Sequence, residues 1–191
     1  MYKMCKTEQS AARQRELEQG LLHAMATRHY EEISVSDLCE QIGIPRKSFY
    51  RYFSGKDGAL HALIDHTLLD YETFNIPVRP GEKHSYHSDI ERFFCFWLQQ
   101  KPLLDVLERS NLSGELVLRC IRHALDDAMR PSRLLQQEEL FARQQATSFS
   151  TCGLMSMVLD WHHSGYEKTP RQMANIAVQL LTKPLITGSD S

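Results

Sequence analysis

An all-α fold in two helical parts is what the sequence predicts, and three observations predict it. Apolar residues recur at helical spacing in every long segment, from Leu17 to Leu181. Capping residues and glycine or proline stops punctuate those segments where helices should begin and end. Two short helices joined by a glycine turn stand near the start, and the second is basic and aromatic. The predicted division is a three-helix N-terminal domain over residues 1–55 and a helical C-terminal domain over 56–191, with a long helix running on from the first into the second.

The first helix is expected over Ala11–Thr27, with Leu17, Leu21, Ala24 and Met25 on one stripe that packs beneath the two short helices. Lys3, Lys6, Arg13 and Arg15 precede or open it, free either to reach a phosphate backbone or to stay in solvent. Ser34 caps the next helix, and Asp37 three residues later completes a capping box. Val35, Leu38, Cys39 and Ile42 keep helical spacing until Gly43, which enters the left-handed conformation of a helix end without steric cost. Pro45 then suits the first turn of another helix, where a missing N–H removes nothing.

The second short helix carries the chemistry. At about 100° per residue, Arg46, Tyr50, Lys47 and Arg51 fall at about 0°, 40°, 100° and 140° of one wheel. Phe49 and Tyr52 lie opposite, with Phe53 on the border. From Gly43 to Lys56 there are four basic residues and no acidic one, in a chain whose net charge is −2. A cationic, aromatic arc after a glycine turn is the pattern of a helix-turn-helix whose second helix lies in the major groove.

Tyr30-Glu31-Glu32-Ile33-Ser34-Val35-Ser36-Asp37-Leu38-Cys39, Gly43-Ile44, Phe49-Tyr50-Arg51-Tyr52-Phe53 and Lys56-Asp57 together resemble the N-terminal signature of the tetracycline-repressor-type (TetR/AcrR) regulators. The likeness is good over Leu17–Leu68 and looser over Trp161–Leu181. It implies a dimeric, all-helical regulator that binds a palindromic operator and represses until a small molecule occupies the second domain. It also implies DNA contacts from Arg46, Lys47, Tyr50 and Arg51 to base edges or groove, and from Ser34, Tyr52 and Lys56 to phosphate. Three positions depart from the family pattern: His29 replaces a glycine, Pro45 a serine, and Lys47 a small residue.

Ser54-Gly55-Lys56-Asp57 starts a long helix to about Phe74, its buried stripe marked by Leu60, Leu63, Ile64, Thr67, Leu68 and Tyr71. Lys56 has the wrong sign for the first turn of a helix, a placement a bound phosphate would explain. Residues 75–82 break the pattern with two prolines and a glycine. Helix resumes at Ser88 with Ile90, Phe93, Phe94, Trp97 and Leu98. Phe93, Phe94 and Trp97 are the candidate effector-binding set, and Phe96 points away from them; the same stripe would serve equally as core. The mostly apolar surroundings favour an apolar or aromatic ligand over a strongly anionic one. Pro102 opens a short helix holding Leu103, Leu104, Val106 and Leu107. Asn111–Gly114 reads as a connection, and Leu116–Met129 as the next helix before Pro131.

A long helix from Glu138 to about His163 carries small residues at Ala142, Ala146, Ser150 and Gly153, a stripe that lets another helix approach closely. Ser164-Gly165 ends it, and Thr169-Pro170-Arg171-Gln172 caps the last helix. By the same resemblance these two helices form the dimer interface, through Ala146, Ser150, Gly153, Met173, Ile176, Ala177 and Leu180. Packing within one chain would leave the same stripes.

Composition narrows the classes. The chain is 42% hydrophobic and 24% charged, ordinary for a globular protein long enough to bury a core. It has no apolar run of membrane-spanning length and no apolar signal segment at its start, so a cytoplasmic location is expected. The five cysteines form no C-x-x-C pair and read as packing residues, with redox sensing the other reading. His84-x-x-His87 and His162-His163 lack partners at ligand spacing, so no metal and no cofactor is expected. A nucleophile elbow and a phosphate-cradling glycine loop are missing, which argues against an enzyme. The rival reading is a diverged adaptor or coactivator of the same architecture that does not read DNA alone.

Overall fold

The computed structural model describes residue 2 and residues 7–75, 85–129 and 137–183. Lys3, Cys5, Lys6, His84, Pro131 and all but Asn75 of the predicted 75–82 break lie outside the described residues. The described chain is helical throughout: α1 Glu8–Thr27, α2 Val35–Ile42, α3 Arg46–Phe49, α4 Lys56–Thr73, α5 Tyr86–Gln99, α6 Lys101–Arg109, α7 Ser113–Met129, α8 Gln137–His163 and α9 Pro170–Thr182. A single 3-10 turn, Tyr30–Glu32, precedes α2. No helix among the described residues is long and apolar enough to cross a membrane.

The caps explain most helix ends. Thr7 accepts from the Ser10 N–H, so α1 begins at Glu8, earlier than the predicted Ala11. Ser34 and Asp37 form the expected reciprocal box, and Gly43 ends α2 at φ 72°. α5 starts at Tyr86 because the Ser88 hydroxyl completes a box with Ser85 in the role expected of a Glu or Gln side chain. Thr169 and Gln172 cap α9 as predicted.

The chain divides into two compact units, Met1–Asp70 with Pro102–Arg119, and Tyr71–Lys101 with Cys120–Ser191. In the first unit Leu17, Leu21 and Met25 of α1 are buried, as are Leu38 of α2 and Leu60, Leu63 and Ile64 of α4. α1 meets α2 at Gly20, where a Cβ would lie 2.3 Å from the Ile42 Cδ1. Charged groups are matched inside this unit. Glu18, 1% exposed, takes both carboxylate oxygens to the His66 Nδ1 at 2.9 and 2.8 Å. Arg119 donates to Asp65 at 2.6 and 2.8 Å and to Glu115 at 2.9 Å. The Tyr2 hydroxyl donates to Asp65 at 2.9 Å, and burial, then this bond, pushes its phenol up to about 12.

In the second unit α9 packs on α5. The rings of α5 form one edge-to-face cluster: Phe94 meets Trp161 at 5.7 Å, Phe96 meets Tyr71 and Phe74 at 5.1 and 5.4 Å, and Trp97 meets Phe96 at 5.5 Å. Arg92 lies over the Tyr71 ring at 4.4 Å and donates to the Tyr71 and Phe74 carbonyls, closing the end of α4.

This packing bears on two expectations. Phe94 and Trp97 are buried in the chain's own core, and so is Phe96 on the opposite side of the helix. Rings on two sides of α5 are thus satisfied by Trp161 on one and by Tyr71 and Phe74 on the other. Of the candidate effector set only half-buried Phe93 keeps surface. Likewise Met173 and Ala177 are buried within one chain and have little area left for a partner. Ala146, Gly153 and Leu180 are exposed and Ser150 and Ile176 half-buried, and a Cβ at Gly153 would meet nothing within 4 Å.

Candidate nucleic-acid interface

The interface is built from three short pieces, each set by local sequence. Ser34 holds the start of α2 by accepting from the Asp37 N–H at 3.1 Å, while the Asp37 carboxylate accepts from the Ser34 N–H at 3.0 Å. The Ser34 backbone N–H, then the Ser34 hydroxyl, hold the Asp37 carboxyl below the usual range, with a smaller contribution from Arg28. Gly43 turns the chain, and Ile44 plugs into the core at 7% exposure. Pro45 has φ −65° and ψ 140° and stands as the N-cap of α3, one position before the predicted first turn.

α3 is regular for only one turn, so the assumed wheel holds only to Phe49. Beyond it the Arg51 and Tyr52 N–H groups bond three residues back, to Ser48 and Phe49. Phe53, whose N–H bonds four residues back to Phe49, nevertheless lies in the core at 1% exposure. Phe49 and Phe53 pack at 5.2 Å and anchor the underside. Each such ring stabilises the fold by about 1.5–3 kcal/mol through burial alone.

On the opposite side Arg46, Lys47, Tyr50 and Arg51 are exposed, as the sequence predicts. Tyr50 is 47% exposed and stands edge-on to Phe49 at 5.8 Å, which braces its ring. No salt bridge engages Arg46, Lys47 or Arg51 among the described residues. Tyr52 is half-buried, and with Arg51, Gln9, Ser10, Arg13 and Glu16 it lines an open cleft of about 590 Å³ beside the start of α1. Three exposed cations without a salt bridge among the described residues, and a braced phenol, suit the groove of a polyanion.

Lys56 is placed differently. Its ammonium donates to the Tyr30 carbonyl at 2.8 Å and the Glu31 carbonyl at 3.3 Å, and sits 4.4 Å from the centre of the Tyr30 ring. These carbonyls account for a cation in the first turn of α4 without any phosphate. The sequence reading missed Tyr30 as a junction: its hydroxyl donates to Asp57 and its N–H to the Ser110 hydroxyl at 3.2 Å. Burial, then the Asp57 bond, drives the Tyr30 phenol far above its ordinary range. Arg109 donates to the Ala26 carbonyl in the last turn of α1.

Histidines singled out for their spacing serve as hydrogen-bonding partners. His162 pairs through Nδ1 with the Tyr166 hydroxyl at 2.8 Å, and His87 with the Asn175 side chain at 2.7 Å. No cluster of three or more metal-ligating side chains forms among the described residues.

A capped helix, a glycine turn and a short cationic helix over a buried phenylalanine pair define a DNA-binding helix-turn-helix domain. Residues 21–63 match the family described as Bacterial regulatory proteins, tetR family. No curated protein sequence matches the chain. The whole fold is similar to two solved regulators. One is the fatty acid degradation regulator FadR from Bacillus halodurans, at 14% identity and a TM-score of 0.58, covering 95% of this chain and 98% of that one. The other is the dihydroxyacetone kinase operon activator DhaS, at 14% identity and a TM-score of 0.54, covering 88% of this chain and 93% of that one. At that identity they speak for the fold, and the matched N-terminal segment speaks for transcription regulation through DNA.

Proposed function

We propose that the protein is a dimeric transcriptional repressor, cytoplasmic, that reads a palindromic operator and is released by an apolar or aromatic small molecule. The observation that carries this reading is the exposed set Arg46, Lys47, Tyr50 and Arg51, held over buried Phe49 and Phe53 in a segment that matches the tetR family. Arg46, Lys47, Tyr50 and Arg51 contact base edges or the groove, and Ser34 and Tyr52 reach phosphate. Phe93 is the residue of the second unit that offers an aromatic edge to an effector. Ala146, Ser150, Gly153, Ile176 and Leu180 supply the surface for the second copy. Tenfold release of operator requires the effector to prefer the non-binding state by about 1.4 kcal/mol.

Selection of bound duplexes from a random pool tests the proposal. The expected product is a motif of two inverted half-sites whose centres lie about one helical turn, or a multiple of it, apart. Failure to enrich any duplex would leave the adaptor reading, which the net charge of −2 also accommodates.

A further inference from the structure

Lys56 differs from the other three cations of the Gly43–Lys56 stretch. Arg46, Lys47 and Arg51 are exposed, whereas the Lys56 side chain is 22% exposed and turned onto its own chain. We infer that Lys56 is a positioning residue that clamps the turn before the helix-turn-helix, and does not serve as a phosphate ligand. The inference rests on the DNA-reading role proposed above.

An ammonium has three N–H donors. The Lys56 ammonium faces three oxygens of the 30–32 turn: the Tyr30 carbonyl at 2.8 Å, the Glu31 carbonyl at 3.3 Å and the Glu31 carboxylate at 3.9 Å. The Tyr30 ring covers another side at 4.4 Å. The neighbouring residue, Asp57, accepts from the Tyr30 hydroxyl, so two successive residues of α4 grip one tyrosine. Ser110 takes the Tyr30 N–H from a part of the chain 80 residues away. Every polar group of Tyr30 is therefore engaged.

The consequence for DNA is geometric. Glu32 ends the turn, and Ser34, the cap of α2, follows two residues later. A turn that tilts carries α2, Gly43 and α3 with it, because α2 packs on α3. A displacement on the order of 1 Å at the reading side chains is enough to lose aligned groove contacts. An ammonium turned onto its own chain's carbonyls meets no phosphate on binding, so it adds little to the salt dependence of DNA affinity.

The test compares wild type with Lys56→Met, which keeps the aliphatic stem and deletes the ammonium. Amide hydrogen exchange over residues 30–34 is measured without DNA, and affinity for the duplex recovered by random-pool selection is measured across salt concentrations. The expected result is exchange faster by about tenfold in that segment and weaker binding at every salt, with the slope of log affinity against log salt unchanged. A slope shallower by about 0.9, the value of one lost phosphate contact, with exchange as in wild type would overturn the inference, as would no change in either quantity. If wild type binds no duplex the DNA reading fails, while the exchange measurement still decides the clamp. Should Lys56→Met not fold, Tyr30→Phe takes its place, since it breaks the Asp57 bond and alters no charge. Faster exchange with weaker binding at an unchanged slope supports the clamp; wild-type values of both contradict it.

Discussion

α4 and α8 are both long and both rich in small residues, yet they end in opposite environments. Gly58, Ala59 and Ala62 of α4 are buried together with Leu60, Leu63, Ile64, Thr67 and Leu68. In α8, none of residues 138–154 is buried, and Phe141 and Phe149 stand 64% and 77% exposed. Small residues in α4 let the chain's own helices close around it. Small residues in α8 lie exposed or half-buried among the described residues, on the surface that the proposed dimer would use.

The largest expected effect breaks the α4 side. Ile64→Ala should destabilise the chain by about 2–5 kcal/mol through lost burial and the cavity left behind, read as a lower urea midpoint at unchanged slope. On the α8 side Phe149→Ala should leave monomer stability within about 0.5 kcal/mol, as expected of an exposed site. Dimer dissociation should rise by roughly 30-fold, corresponding to about 2 kcal/mol if Phe149 anchors the interface. Sedimentation across concentration separates the two quantities. A Phe149→Ala protein that unfolds early while keeping its dimer would invert the comparison.

One substitution placed at two glycines sharpens it. Gly20→Ala puts a methyl 2.3 Å from Ile42 and should cost about 1–3 kcal/mol by overpacking. Gly153→Ala meets nothing within 4 Å and should gain up to about 1 kcal/mol in the monomer from helix propensity. The same change should weaken dimerisation if a partner helix approaches there. Thermal melts at low and high protein concentration give both numbers.

The helix-turn-helix was legible because its signals are local. Ser34 with Asp37, the turn at Gly43 and the cap at Thr169 each act within a few residues, and each folds as the spacing predicts. Contacts between distant residues were not legible. Lys56 and Tyr30 are 26 positions apart and Ser110 and Tyr30 are 80 apart, so a lone lysine in a first turn invited a phosphate. Phe53, on the border of an ideal wheel, lies in the core because α3 stops being a regular helix after Phe49 and the wheel no longer places it. The aromatic run on α5 revealed its two-sided character, but Trp161 on one side and Tyr71 on the other come from other helices. Gly20 carried a usable signal, since a glycine inside a helical pattern costs about 1 kcal/mol against Ala and asks for a packing reason.

A smaller effect concerns pH and again belongs to the first unit. Burial, and then the Arg119 charge, hold the His61 imidazolium form below its ordinary range, against the pull of Glu115 at 3.2 Å. The folded state therefore binds this proton less readily than the unfolded chain. Stability should be full above the ordinary histidine range near pH 6.5 and fall as pH drops below it, with the loss complete below the folded value. Replacing His61 by Gln should flatten that part of the stability profile; an unchanged profile would assign the pH dependence to other groups.

Comparing duplex binding of wild type with the Arg46→Ala, Lys47→Ala, Arg51→Ala triple variant tests the central claim most directly. The binding is followed by fluorescence anisotropy on a selected operator over a range of salt. The account predicts that wild type binds with a steep inverse salt dependence, and that the folded triple variant falls to the level of random duplex with a shallower slope. A folded triple variant that binds the operator as tightly as wild type would contradict it.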